Sequence, residues 1–316
     1  MSISTATQPL FRDLFDEAAV AARGGRAAAG MFLCNGDANT AEICAGAGFD
    51  YLLIDAEHAP LTLADVLGQL RTVAAYRVPT MVRVPALDPV LIKQFLDVGA
   101  QTLLVPMVDD AEAAAVAVAA ARYPGVRGGA GAGAAGAGPA DGAAVQAVGE
   151  RRAGGGTAAA DRRAGVRGVG SALARSGRWN RIDGYLTGAD EHVSVVVQVE
   201  TAAGVANAGA IAAVDGIDAV FVGPSDLSAS MGLLGQQAHP EVVAAVESVI
   251  REVKAAGKVV GVNAFVPEQA EAYVAAGADF VNVGADVAIL ARGSEALAAR
   301  WCTDTAAQPS GDRASY

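Results

Sequence analysis

Residues 46–55 read GAGFDYLLID, and the same phrase returns as GAQTLLVP at 99–106, GIDAVFVGP at 216–224 and GADFVNVG at 277–284. Each is a glycine, a short polar step, a run of apolar residues, then a turn or polar group. Each also follows an alanine-rich stretch with helical spacing. Glycine just past a helix end serves as a left-handed cap. A short unbroken apolar run suits a strand buried on both faces, as in a parallel sheet. The repeating unit is therefore helix, glycine, strand.

Four further strands fill the gaps, at 29–34 (AGMFLC), 79–84 (PTMVRV), 193–199 (VSVVVQV) and 258–263 (KVVGVN). Helical spacing falls between them near 38–47, 62–75, 89–98, 109–122, 202–213, 240–256 and 267–276, with one more helix after 286. Eight alternating strands and helices point to a (β/α)8 TIM barrel, with an open doubly wound sheet as the alternative. The expected organisation is an N-terminal extension at 1–27, a barrel at 28–300 and a tail at 301–316.

One segment breaks the pattern. Of the 33 residues at 128–160, 24 are Gly or Ala, and neither strand nor helix period shows. GVRG stands at 125–128 and again at 165–168. The offset of 40 residues reads as a disordered insertion at 126–164 in one barrel connection, a frame excursion in a GC-rich gene being one origin. Subtracting the 40-residue offset leaves 316 − 40 = 276 residues, near the size of one barrel. Gly131, Gly133 and Gly136 spell G-x-G-x-x-G, but no strand precedes and no helix follows, so this is no dinucleotide site.

The charge balance, 23 basic against 34 acidic residues, gives −11 and argues against nucleic acid or an anionic membrane as partner. No run of 18 apolar residues exists, and acidic residues interrupt any signal-peptide core at the start. Cys34, Cys44 and Cys302 form neither a disulfide framework nor a zinc motif. Free thiols and a cytoplasmic location are expected.

Barrel enzymes place their chemistry at the C-terminal ends of the strands. The polar residues there are Asp55, Glu57 and His58 after strand two, Arg83 on strand three, Gln198 and Glu200 at strand five, Asp226 after strand six and Asp286 after strand eight. Glu200 and Asp226 end neighbouring strands. Two carboxylates so placed share a proton or bind a hard divalent ion. The plainer readings are an N-cap for Asp226 and a capping or salt-bridge role for Glu200. Arg83 on an apolar strand needs a partner and suits an anionic substrate. His58 is one of three histidines, and its acidic company favours a role in proton transfer. The only lysines, Lys93, Lys254 and Lys258, lie on helices or at the opening end of a strand, which disfavours Schiff-base chemistry.

DAEHAP at 55–60, VRVP at 82–85, LIKQFLDVGAQTLLVPMV at 91–108, GVRGVGSALARSGRWNR at 165–181, QVET at 198–201 and GPSDLSASMG at 223–232 together resemble the HpcH/HpaI aldolase family. These are the metal-dependent pyruvate aldolases of the phosphoenolpyruvate/pyruvate barrel superfamily. The resemblance covers 28–122 and 165–295; 126–164 has no counterpart. It implies cleavage or formation of 4-hydroxy-2-oxo acids, giving pyruvate and an aldehyde through a metal-stabilised enolate. By it, Glu200 and Asp226 hold Mg²⁺, Mn²⁺ or Co²⁺, and Gln198 with the turn Gly223, Pro224 and Ser225 binds substrate. Arg83 stabilises the enolate, and His58, oriented by Asp97, moves protons, with Asp55 and Glu57 in support. A homo-oligomer, hexamer or trimer, and a role in aromatic-compound or sugar-acid catabolism are also implied. Ala56, Leu61, Ser225 and the run Phe32-Leu33-Cys34 depart from the family pattern on the aldehyde side, leaving the acceptor open. Claisen-type condensation, decarboxylation and an inactive chain disrupted by the insertion are the alternatives.

Overall fold

A computed structural model describes residues 7–125, 165–170 and 173–302. The Gly/Ala segment at 126–164 and its G-x-G-x-x-G lie outside the described residues, as do 1–6 and most of the tail. Eight parallel strands, β1 (Ala28–Leu33), β2 (Tyr51–Asp55), β3 (Thr80–Arg83), β4 (Thr102–Val105), β5 (Ser194–Val199), β6 (Ala219–Val222), β7 (Val259–Asn263) and β8 (Phe280–Ala285), close in sequence order as a barrel. Closure is made by β8 on β1, which pair Ala28 with Phe280 and Gly30 with Asn282. The open-sheet alternative is thereby excluded.

Helices α1 (Glu17–Ala22) to α11 (Asp286–Trp301) surround the strands. Their starts follow capping chemistry. Asp37 caps α2 (Ala38–Ala45), a Thr62–Asp65 capping box opens α3 (Leu63–Val73), Asp88 with Pro89 opens α4 (Pro89–Asp97), and Asp110 caps α5 (Ala111–Ala121). The glycines of the recurring phrase end these helices: Gly99 (φ 101°) and Gly277 (φ 111°) take a left-handed conformation that a side chain would resist.

Two departures from the sequence reading are local. The helix expected at 202–213 breaks at Asn207 into α6 (Ala202–Ala206) and α7 (Ala208–Ala212). Asn207 Nδ2 donates to the Asp109 carbonyl at 2.8 Å, so this side chain ties the break to the β4–α5 loop. Residues after β6, read as a turn, form α8 (Pro224–Ser230), with Gly223 as N-cap and Pro224 as its first residue. The remaining helices are α9 (Pro240–Ala255) and α10 (Pro267–Ala275).

The interior is filled from below by Phe11, of a short 3-10 turn at Phe11–Phe15. Its ring meets Tyr51 at 5.2 Å and Phe280 at 4.9 Å, both edge to face. Gly30 and Gly261 leave room inside for those two large rings. The barrel is thus closed at its N-terminal face and open only at the other, where the strand-end residues gather. Beside α5 the chain re-enters at Gly165: the Val166 and Arg167 N–H groups donate to the Ala119 and Arg122 carbonyls at 2.8 and 2.9 Å.

Candidate active site

The open end holds a cavity of about 920 Å³ lined by Asp55, His58, Arg83, Gln198, Ser225 and Asp226, with Phe32, Phe221 and Phe265 as apolar walls. Glu200 lies beneath it, buried.

Arg83 is the most constrained member. Asp55 and Arg83 are register partners on β2 and β3. Arg83 Nε and Nη2 donate to Asp55 Oδ1 and Oδ2 at 2.9 and 2.8 Å, and Nη1 lies 3.2 Å from Glu57 Oε2. The guanidinium also stacks over Phe32, 5.0 Å from the ring centre. Burial raises the Asp55 carboxyl, but its hydrogen bonds from Arg83 win and hold it below its ordinary value. Glu57 is held above its ordinary value, mainly by burial. Asp55 and Glu57, read from sequence as supporting residues, thus supply the partners a buried arginine requires. Glu57 Oε2 also lies 3.7 Å from His58 Nε2, whose side chain stands exposed at the rim.

Glu200 follows β5. Its Oε1 accepts the Met107 N–H at 2.8 Å, and its Oε2 accepts from Gln198. Met107 holds a left-handed backbone (φ 55°) after β4, which aims that N–H at the carboxylate. Burial first, then Asp226 and Glu57, push the Glu200 carboxyl up to about 7. A cation would relieve that excess of negative charge. The Gln198 Oε1 atom is buried without a hydrogen-bond partner, a further oxygen turned to no protein donor. Gly223 keeps the space clear, since a Cβ there would stand 2.9 Å from both Glu200 Oε2 and Gln198 Nε2. Two carboxylates, a free amide oxygen and open space fit a hard divalent ion that keeps positions for water and substrate. Among the described residues no group of three or more His, Cys, Asp or Glu side chains could hold a metal.

Ser225 and Asp226 lie in the first turn of α8, where no side chain caps the helix, and Ser225 Oγ accepts from Gln237 at 3.1 Å. Asp226 is therefore inside the helix start and is not its N-cap. Asp286 proves structural: its carboxylate accepts the Cys34 and Asn35 N–H groups at 2.8 and 3.1 Å and fixes the start of α11.

Asp97 corrects an expectation. It ends α4, at the end of the barrel opposite the cavity, because a helix of this fold runs back toward the start of the next strand. Its carboxylate pairs there with Arg167 at 3.2 Å, and Arg167 is fully buried over the Tyr123 ring. Within one chain Asp97 and His58 are not brought together. The lysines are likewise away from the cavity: Lys254 pairs with Asp279, and Lys258 donates to the Ile217 carbonyl.

The sequence reading missed Met107, because a strained backbone leaves no mark in a methionine. It also missed Asn263, Phe265 and Arg292, which join the lining from β7 and α11.

A model of the family described as HpcH/HpaI aldolase/citrate lyase matches residues 28–292. A 4-hydroxy-2-oxo-heptane-1,7-dioate aldolase of Salmonella dublin is 46% identical over 281 residues, covering 89% of this chain and 92% of that protein. The aldolase of the same name from Salmonella typhi is equally similar. The crystal structure of an HpcH/HpaI aldolase/citrate lyase family protein from Burkholderia cenocepacia superposes with a TM-score of 0.71 at 36% identity, covering 87% of this chain and 94% of that one. An HpcH/HpaI aldolase from Desulfitobacterium hafniense, at 24% identity and a TM-score of 0.69, shares the fold over 92% and 96% of the two chains.

Proposed function

From the premise that this chain belongs to the HpcH/HpaI aldolase/citrate lyase family of carbon–carbon lyases, we propose that it cleaves a 4-hydroxy-2-oxo acid into pyruvate and an aldehyde with the residues of the β-barrel mouth. The family is generally dependent on a divalent metal. Glu200 and Asp226 would hold it, with Mg²⁺, Mn²⁺ or Co²⁺ as candidates. Bound there, the ion supplies positive charge to the 2-oxo acid end of the substrate and lowers the cost of the enolate.

The chain's own residues do the rest. The uncapped N–H groups of Ser225 and Asp226 receive the substrate carboxylate in the space kept by Gly223. Gln198 Oε1 accepts from substrate or water. Arg83, locked by Asp55 and Glu57, donates its outward N–H groups to the 2-oxo oxygen as negative charge develops. His58 takes the proton of the C4 hydroxyl as the C3–C4 bond breaks. The aldehyde leaves, and C3 of the pyruvate enolate gains a proton. Asp97 can act on His58 only from another chain, so its part in orienting the imidazole requires a neighbouring subunit.

The single observation that carries this reading is Glu200: a buried carboxylate raised to about 7 by burial and by Asp226 and Glu57, under a cavity that also holds Arg83. Among the described residues no helix is long and apolar enough to cross a membrane, in keeping with a small-molecule enzyme of the cytoplasm. Helix α11 leaves Val287, Ile289, Leu290, Leu297 and Trp301 exposed, and beside α10 runs an apolar cavity of about 480 Å³. Both support a homo-oligomer. The test is pyruvate release by the purified protein from 4-hydroxy-2-oxo acids of different chain length and charge. Release is expected. Its absence across the set, with pyruvate decarboxylated or condensed instead, would move the chain to another enolate chemistry.

A further inference from the structure

Ser225 stands in the first turn of α8 and lines the cavity one residue before Asp226. Its hydroxyl is held from the loop that joins α8 to α9: Gln237 Nε2 donates to Ser225 Oγ at 3.1 Å. The loop is built to deliver that amide. Gly232 and Gly235 turn it through the left-handed conformation, with φ 77° at both. The Leu233 N–H donates to the Ser228 carbonyl at 2.7 Å and ties the loop to α8. Gln269 of α10 donates to the Gln237 carbonyl at 3.4 Å and holds it from the other side.

A hydroxyl has one proton to give and two lone pairs to receive. At Ser225 the Gln237 N–H takes a lone pair, so the proton turns away from Gln237. Among the described residues no carbonyl or carboxylate accepts it, since the side chain's one hydrogen bond is that from Gln237. The open side of the hydroxyl is the cavity that it lines. An anion there meets an O–H donor beside the N–H groups of Ser225 and Asp226. Hydrogen bonds to a charged acceptor are the stronger ones.

We propose that Gln237 is a positioning residue for the 2-oxo acid: by occupying a lone pair of Ser225 Oγ, it aims the hydroxyl proton at the substrate carboxylate. The carboxylate then has three donors, two N–H groups and one O–H. This rests on the aldolase reading above and adds a residue that acts on the substrate without touching it.

The experiment measures KM and kcat for exchange of pyruvate C3 protons in D₂O at saturating Mn²⁺, with a thermal melt of each protein. The proteins are wild type, Ser225→Ala, Gln237→Leu, Gln237→Glu and the double variant Ser225→Ala with Gln237→Leu. Ser225→Ala should raise KM about tenfold with kcat little changed, the worth of one hydrogen bond to a charged group. Gln237→Leu frees the hydroxyl to turn and should raise KM about threefold to fivefold. Gln237→Glu accepts the proton instead of donating one and should raise KM further than leucine does. With Ser225 already alanine, Gln237→Leu should add nothing, because positioning needs the hydroxyl. A residue that only pins the loop would lower the melting temperature and leave KM alone. An unchanged KM in Ser225→Ala or Gln237→Leu overturns the proposal, as does the same rise from Gln237→Leu with and without the hydroxyl, or a glutamate variant that matches wild type. If Gln237→Leu fails to fold, Ser225→Ala and Gln237→Glu carry the same decision. Exchange by the wild type without these KM shifts sinks the positioning role alone. No exchange by the wild type sinks the aldolase reading and this inference with it.

Discussion

Asp55 and Arg83 oppose each other on neighbouring strands and are joined by two parallel hydrogen bonds of 2.9 and 2.8 Å. The pair is buried, so its two halves are not equivalent to surface charges. Arg83→Ala leaves Asp55 charged and unpaired inside the barrel and should cost about 3–5 kcal/mol of stability. Arg83→Lys keeps the charge but not the fork and should lower kcat about a hundredfold with a smaller loss of stability. Chemical denaturation and steady-state kinetics on both variants check this. A lysine variant with native kcat would show that the fork has no catalytic part.

Gly223 predicts a separation of fold from metal. Its φ is −102°, so alanine meets no backbone strain there, only the lack of space beside Glu200 and Gln198. Gly223→Ala should keep its melting temperature within a few degrees while its affinity for Mn²⁺ falls about tenfold or more. Titration calorimetry and a thermal melt read the two effects separately. Unchanged metal affinity would place the ion elsewhere.

Glu200 makes stability depend on pH. Its carboxyl titrates at about 7 in the folded protein against 4.5 for the unperturbed group. A raised carboxyl binds its proton more tightly when folded. Its contribution to metal-free stability is therefore full below 4.5 and is lost as pH rises to about 7. A divalent ion takes the deprotonated form, so its stabilising effect grows through the same window. The rise in melting temperature on adding excess Mn²⁺ should be larger at about pH 8 than at about pH 5.5. Equal rises would contradict the assignment of Glu200 as ligand.

The insertion should be dispensable. Val166 and Arg167 already bond to the end of α5, and Gly165 lies against the Arg122 and Tyr123 backbone. Deleting 125–164 joins Pro124 to Gly165 over that short gap and keeps one copy of GVRG. The shortened protein is expected to fold and retain its aldolase activity. Failure to fold would make the segment part of the barrel.

The barrel was legible because strands buried on both faces write unbroken apolar runs, and because Gly99 and Gly277 mark where helices end. The strand-end residues were legible by the same logic, since position in a barrel fixes which end a residue occupies. Contacts between distant segments were not. Nothing in the sequence tells that Asp97 meets Arg167, which follows the segment 126–164, or that Met107 bends to serve Glu200. Asn207 breaks a helix through a bond to the Asp109 carbonyl, a partner 98 residues away.

The central claim is that Glu200 and Asp226 hold the ion that lets this barrel form the pyruvate enolate. Exchange of pyruvate C3 protons in D₂O, followed by NMR on the chelator-stripped protein, tests it without any aldehyde. No exchange is expected until Mg²⁺, Mn²⁺ or Co²⁺ is added, and none in Glu200→Gln with the metal present. Exchange that persists without metal, or that survives in Glu200→Gln, would contradict it.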